Sequence, residues 1–198
     1  MIIFKNLNNE KPYVKLKKLY DKALEANQDL IEAVSISSFS AEKNEVDARF
    51  VNLKIVENTQ FIFFSNYKSP KSKQFKSHNQ ILALIHWPSI GVQIRMNCLI
   101  EKSSSEFSDL YFKGRSAKKN ALAISSAQSS EIDSYESVID KYNKVLEKEN
   151  LIKRPEYWGG FSFTPFYFEF WEGNEYRLNK REVYKLFGNN WTKSILEP

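Results

Sequence analysis

Residues 81–100 read Ile81-Leu-Ala-Leu-Ile-His-Trp87, Pro88-Ser-Ile-Gly91, then Val92-Gln-Ile-Arg-Met-Asn-Cys-Leu-Ile100. Two apolar runs of strand length flank a turn marked by Pro and Gly, which is the pattern of two consecutive strands. A parallel pair would need a crossover of a dozen or more residues, so so short a turn implies antiparallel neighbours. Upstream, Phe61 to Phe64 forms a short, very apolar strand. Before it, Val34 and Ile36 alternate with serines, Ala41 to Glu45 is polar, and Val46 to Val56 is extended again, as in a hairpin. Ser69-Pro70 has the form of an N-cap and first helical turn, predicting a short basic helix to about His78. An amphipathic helix over about residues 12–28 opens the chain, with Leu16, Leu19, Tyr20, Ala23 and Leu24 on one face.

Downstream, Ser104 to Leu122 has helical character, and a longer amphipathic helix follows with Tyr135, Val138, Ile139, Tyr142 and Val145 on one face. Pro155 and Gly159-Gly160 are expected to stop helix formation, after which Phe161, Phe163, Phe168, Phe170, Tyr184 and Leu186 alternate as in strands. Strands joined by short turns, with helices inserted irregularly, predict a mainly antiparallel β-barrel with peripheral α-helices rather than a doubly wound sheet. With 198 residues, 42% of them hydrophobic, the chain reads as a single domain, residues 1–198.

Lys and Arg number 29 against 24 Asp and Glu, a formal charge of +5 that points to an anionic partner: nucleic acid, membrane or a phosphorylated small molecule. Only six of the basic residues are Arg (49, 95, 115, 154, 177 and 181), and Arg is the side chain suited to planar, bidentate recognition. The one cysteine, Cys98, sits in an apolar run and reads as a buried, inert thiol. No run of about 18 apolar residues is present, and the opening residues carry no long hydrophobic region, so a cytoplasmic location without membrane insertion is expected. Two histidines, His78 and His86, with no cluster at ligand spacing, suggest no metal site.

There is no GxGxxG, P-loop, GxSxG or HExxH, so dinucleotide binding, Walker-type phosphoryl transfer and the common hydrolases lack their signatures. Four segments instead combine Arg or Lys with hydroxyl and amide residues. They are Arg49 to Lys54, Ser65 to Lys71, Tyr111 to Arg115 with Gln128-Ser-Ser130, and Trp171 to Arg181. Arg49 and Lys54, five apart, project to opposite faces of a strand unless a bulge intervenes. Arg177 and Arg181, four apart, share a face with Asn179 if the chain is extended. Each segment taken alone reads better as a solvated basic strand edge.

Together these segments resemble the pyridoxamine 5′-phosphate oxidase family. Pro155-Glu-Tyr-Trp-Gly-Gly-Phe161, Phe168-Glu-Phe-Trp-Glu-Gly173, Arg177-Leu-Asn-Lys-Arg181 and the final Leu-Glu-Pro are similar to its C-terminal signature, spanning about residues 155–198. Arg49 to Lys54, Phe63-Phe-Ser-Asn66, Trp87, Gln93, Tyr111-Phe112 with Arg115, and Gln128-Ser-Ser130 follow the order of its other motifs. The resemblance implies an FMN-binding split barrel, a homodimer with FMN at the interface, and oxidation of pyridoxamine or pyridoxine 5′-phosphate to pyridoxal 5′-phosphate, with O2 as acceptor and hydrogen peroxide as product. It implies FMN contacts from Arg49, Lys54, Phe64, Ser65, Lys71, Gln93, Gln128, Ser129, Trp171 and Arg181. The substrate is assigned Lys54, Tyr111, Arg115, Lys119, Arg177 and Asn179, with Arg177 and Asn179 at the reacting ring.

Where the family has His, this chain has Asn179. Lys119 stands for a Ser, Pro70 for an Arg, Phe64 for a Tyr and Val92 for an Arg. The loss of two basic groups near FMN implies weaker cofactor retention unless Lys68 or Lys73 compensates. Two other readings stand beside this one. A related split-barrel flavin oxidase acting on another ring, of the phenazine-pathway type, would accommodate the changes at 119 and 179. A basic protein binding single-stranded nucleic acid through lysines and aromatics is the non-enzymatic alternative, and alternation of the aromatics into a core argues against it, so no nucleic-acid partner is expected.

Overall fold

The computed structural model describes residues 1–148 and 150–198. Its strands are β1 (Ile3–Lys5), β2 (Ala33–Ser40), β3 (Glu45–Glu57), β4 (Gln60–Asn66), β5 (Gln80–Trp87), β6 (Val92–Lys102), β7 (Trp158–Glu172), β8 (Lys180–Phe187) and β9 (Asn190–Leu196). Its helices are α1 (Lys11–Glu25), α2 (Pro70–Ser77), α3 (Ser105–Lys113), α4 (Ala117–Ser125) and α5 (Tyr135–Lys148). The turn between β5 and β6 closes at Gly91, whose φ of +62° suits glycine and whose N–H donates to the Pro88 carbonyl.

Six strands form a closed antiparallel ring: β3–β2–β5–β6–β7–β4 and back to β3. Closure leaves those strands without a free edge along the ring. β1 adds to β3 in parallel, and β8 and β9 extend from β7. The ring splits on β7. Residues 158–163 pair with β4 and residues 167–172 with β8, while β6 stays paired along both halves. The change of partner falls at Pro165, which has no N–H to donate, and a register shift on β6 between Asn97 and Cys98 accompanies it. This is the split barrel.

The interior is aromatic. Phe61 stacks on Phe163 at 5.2 Å and Phe63 on Phe161 at 5.6 Å, all four nearly inaccessible. Helix α1 packs across the barrel with Tyr13, Leu16 and Tyr20, the Tyr13 ring meeting Phe168 edge-on at 5.2 Å. Full burial of each such ring contributes roughly 1.5–3 kcal/mol. Cys98 is wholly buried and its thiol is pushed well above its ordinary pKa by burial, so the inert thiol is what the structure contains. A smaller cluster of Phe112, Ala123 and Trp158, with Phe64 and Tyr111 against it, lies where α3 and α4 meet β4 and β7.

Several expected boundaries move. Helix α1 ends at Glu25 rather than near 28, because Asn27 turns left-handed at φ +54°. The block from Ser104 breaks into α3 and α4 around Gly114. Gly159-Gly160 does not mark a helix stop: both residues lie inside β7, opposite Ser65 and Phe64. Their lack of a Cβ lets Tyr67, Ser103 and Ser108 pack against the strand. Strands β1 and β9 are too short or too polar to stand out in the sequence. Among the described residues, no helix is long and apolar enough to cross a membrane.

Candidate active site

One side of the barrel opens into a cleft of about 1260 Å³ between β3, β4, α2, α3 and the segment after α4. Ten of the fifteen residues singled out from sequence line it: Arg49, Lys54, Phe64, Ser65, Lys71, Tyr111, Arg115, Lys119, Gln128 and Ser129. Arg49 and Lys54 reach the same cleft because β3 is irregular between Leu53 and Ile55. That bulge resets the alternation that would otherwise send them to opposite faces.

At one end, Arg49 is fixed from several sides. Its Nη1 donates to the Ile36 carbonyl at 3.1 Å and to Ser38 Oγ at 2.6 Å, and its Nη2 donates to Gln74 Oε1 at 2.9 Å and pairs with Asp47. Lys71 stands beside it at the start of α2. It is 7% exposed, and among the described residues its ammonium has neither hydrogen bond nor ion pair. Burial and, next, the Arg49 charge lower its pKa to about 8, against the opposing pull of Asp47. The α2 N-cap, Ser69, donates its hydroxyl to the Asn66 carbonyl instead of capping the helix. A buried, unpaired ammonium, a fixed guanidinium and an uncapped helix start form a receptacle for a phosphate dianion.

Along the middle of the cleft, Gln128 Oε1 accepts from Ser65 Oγ at 3.1 Å and from the Asn66 N–H at 3.3 Å. Its NH2 group has no partner among the described residues and is available as a donor. Ser129 follows in the left-handed region at φ +66°, a strained conformation for a non-glycine residue.

The other end is aromatic and cationic. Tyr111 stacks on Phe64 with centroids 3.6 Å apart, and Trp158 lies beyond Phe64 at 5.3 Å. The Arg115 guanidinium sits 4.4 Å over the Trp158 ring. Its Nη2 donates to the Lys119 carbonyl at 3.1 Å, while Nη1 is buried without an acceptor. Burial lowers the Arg115 pKa and raises that of Tyr111. Lys54 reaches this cleft with its ammonium 3.6 Å from Glu32.

The remaining five residues do not line the cleft. Gln93, Trp171 and Arg181 form a row across β6, β7 and β8, each directly opposite the next, and so share one sheet face. Arg181 is gripped by buried Glu169, which accepts from Nε at 2.9 Å, pairs with Nη2 at 2.8 Å and also binds Arg95 and the Tyr167 hydroxyl. Burial is the largest single influence on the Glu169 carboxyl and raises its pKa, but the bonds from Arg181, Arg95 and Tyr167 together outweigh it and hold the group below its ordinary value. Arg177 and Asn179 are not on an extended face with Arg181. They belong to a turn in which Arg177 has φ +60° and donates its N–H to the Asn174 carbonyl, while Asn179 Oδ1 accepts from the Asn174 N–H at 3.2 Å. The extended reading fails because β8 begins only at Lys180.

Asp47, Gln74, Glu32, Trp158, Arg95 and Glu169 are not among the site residues singled out from sequence. Glu169 and Arg95 face each other only through strand register, which sequence spacing does not contain, although Glu169 between two core phenylalanines was a visible anomaly.

Residues 158–198 match the family model of the pyridoxine 5′-phosphate oxidase C-terminal dimerisation region. A pyridoxine/pyridoxamine 5′-phosphate oxidase of Rhodopirellula baltica is 34% identical over 194 residues, covering 94% of this chain and 87% of the relative. One from Legionella pneumophila strain Lens is 36% identical over 190 residues, with the same coverage. Among solved structures, PhzG from Burkholderia lata superposes with a TM-score of 0.88 at 23% identity, over 94% of this chain and 92% of that one. A pyridoxamine 5′-phosphate oxidase-related, FMN-binding protein of Nostoc punctiforme gives 0.73 at 15% identity, over 92% and 97%. These two share the fold, and the sequence relatives carry the family assignment. With identity above 30% along nearly its whole length, the chain belongs to the pyridoxine/pyridoxamine 5′-phosphate oxidase family of flavin-dependent enzymes.

Proposed function

We propose that this enzyme oxidises pyridoxine and pyridoxamine 5′-phosphate to pyridoxal 5′-phosphate, with FMN as resident cofactor and dioxygen as final acceptor. The observation that carries the reading is one cleft lined both by Arg49 and Lys71 and by Lys54, Arg115 and Lys119, cations enough for two phosphates. Two phosphorylated ligands lying along one cleft, cofactor and substrate, account for both. The buried unpaired Lys71 and the unpartnered Arg115 Nη1 are donors whose desolvation an anion would offset.

In this reading Arg49, Lys71 and the start of α2 hold the FMN phosphate, and Phe64, Ser65, Gln128 and Ser129 line its path. Lys54, Tyr111, Arg115 and Lys119 hold the substrate phosphate. FMN held there would supply the hydride acceptor for the carbon bearing the alcohol or amine and the route for those electrons to O2, with hydrogen peroxide as product. For pyridoxine phosphate the net change is loss of two hydrogens; for pyridoxamine phosphate, water is also consumed and ammonia released. The chain's own residues contribute grip and orientation, since effective molarity rather than acid–base chemistry is what such a transfer needs from the protein.

Gln93, Trp171, Arg181, Arg177 and Asn179 reach a site by homodimerisation, each protomer presenting its row and turn to its partner's cleft. The match of residues 158–198 to a dimerisation region and the exposure of Tyr176 and Leu178 beside Arg177 support this. The three cations assigned to the substrate, Lys54, Arg115 and Lys119, favour a phosphorylated ring over an unphosphorylated one of the phenazine type. Hydrogen peroxide release by the FMN-loaded protein tests the reading. It should follow pyridoxine or pyridoxamine phosphate and be absent with the dephosphorylated vitamers; FMN binding without turnover of either phosphate ester contradicts it.

A further inference from the structure

Two acids line the cleft: Asp47, which pairs with Arg49, and Glu32, which pairs with Lys54. Glu32 precedes β2, and its carbonyl accepts from the Leu53 N–H at 2.8 Å, which fixes the residue beside the β3 irregularity that carries Lys54. Its side chain lines the same cleft as Lys54, Arg115 and Lys119, is 25% exposed, and places Oε1 3.6 Å from Lys54 Nζ. Its other carboxylate oxygen, Oε2, meets the α-amino group of Met1 at 3.4 Å.

We infer that Glu32 sets the affinity of the cleft for phosphorylated ligands, acting as a fixed countercharge that keeps substrate and product loosely held. This rests on the proposed function. A phosphate drawn to Lys54 approaches a carboxylate already at that ammonium, and the two like charges repel at short range in a partly buried site. Lys119 supplies a further cation to the same cleft, and Glu32 offsets part of that charge. Because substrate and product carry the same phosphate, this repulsion acts on both alike. Uniform weakening of that kind raises KM and speeds product departure without touching the chemical step. The geometry also predicts selectivity: the effect belongs to the phosphate and not to the pyridine ring.

The test uses 4-deoxypyridoxine 5′-phosphate, a ring that has no alcohol to oxidise and no aldehyde to react with lysines, and 4-deoxypyridoxine as its phosphate-free control. Binding to the FMN-loaded wild type, Glu32→Gln and Glu32→Asp is measured by calorimetry. Glu32→Gln should bind the phosphate about fivefold more tightly, as loss of one nearby like charge dictates, with the control ligand unchanged and Glu32→Asp within about twofold of wild type. Glu32→Thr is a second neutral variant, expected to behave as Glu32→Gln should that protein fold poorly. Equal phosphate affinity in wild type and the neutral variants overturns the inference, as does an equal gain for the phosphate-free ring or no binding to any of these proteins. Turnover of pyridoxine phosphate by wild type, measured separately, reports on the oxidase reading itself.

Discussion

The Arg115 guanidinium lies 4.4 Å over the Trp158 ring with Nη1 buried and without an acceptor. Stacking fixes the plane of the fork, and the lone donor shows where an anion is to be bound. Arg115→Ala is therefore expected to raise KM for a phosphorylated vitamer by roughly 30-fold or more, since a charge-assisted bond contributes about 2 kcal/mol or more. FMN affinity should stay within about twofold, because the proposed FMN phosphate site is built from other residues, Arg49 and Lys71. Arg115→Lys should recover only part of the loss, an ammonium having no planar fork. Steady-state kinetics and flavin fluorescence titration check all three.

Lys71 gives a pH dependence with a definite sign. Its pKa in the folded, FMN-free protein is about 8, against 10.5 unperturbed. The folded state thus binds fewer protons than the unfolded one between these values, so this group makes stability rise with pH across that window. Below pH 8 it is a buried cation that costs stability. Lys71→Met should stabilise the FMN-free protein at pH 7, by roughly 1–3 kcal/mol, while weakening FMN binding. Because a bound phosphate favours the charged lysine, wild-type FMN affinity should fall as pH rises above 8, with proton uptake on binding. Denaturant melts and calorimetry in buffers of different ionisation enthalpy measure these effects.

The turn Asn174–Asn179 holds Arg177 in the left-handed region through bonds to both ends of Asn174. Asn179→Ala removes the acceptor for the Asn174 N–H and should lower kcat several-fold with little change in FMN binding. Asn179→Asp keeps an acceptor and should retain more activity. Equal losses in both variants would place the role of Asn179 at the substrate and not in the turn.

The sites are expected to be shared between protomers, and complementation tests this. Arg115→Ala disables the cleft and Arg177→Ala the turn, so each homodimer should be nearly inactive. In a random mixture about half the dimers are mixed, and each has one intact site. Recovery of about a quarter of wild-type activity is expected. No recovery after confirmed subunit exchange contradicts sharing.

Gly159 tests packing at the site's back wall. A Cβ there would collide with the Tyr67 hydroxyl and crowd Ser108, whereas one at Gly114 meets only backbone oxygens at 3.7 Å and beyond. Gly159→Ala should destabilise by about 1–3 kcal/mol and Gly114→Ala far less, as thermal melts would show.

The barrel was legible because residues 81–100 and the alternating phenylalanines encode strand period and direction locally. Arg49, Lys71 and Arg115 were legible as scarce or clustered cations, and their family resemblance gave them roles. What the sequence withheld depends on register and long-range contact. The irregularity that brings Lys54 into the same cleft as Arg49, the Glu169 grip on Arg181 and the Glu32–Lys54 pair arise only once strands are aligned. Gly159-Gly160 misled for the same reason, since its meaning is a helix packed against a strand and not a local break.

The most direct measurement is hydrogen peroxide formed by the FMN-loaded protein supplied in turn with pyridoxine 5′-phosphate, pyridoxamine 5′-phosphate and their dephosphorylated forms. Stoichiometric peroxide and pyridoxal 5′-phosphate from at least one phosphorylated vitamer, and none from the dephosphorylated pair, is the expected result. A flavin-loaded protein that leaves both phosphate esters unoxidised would contradict the account.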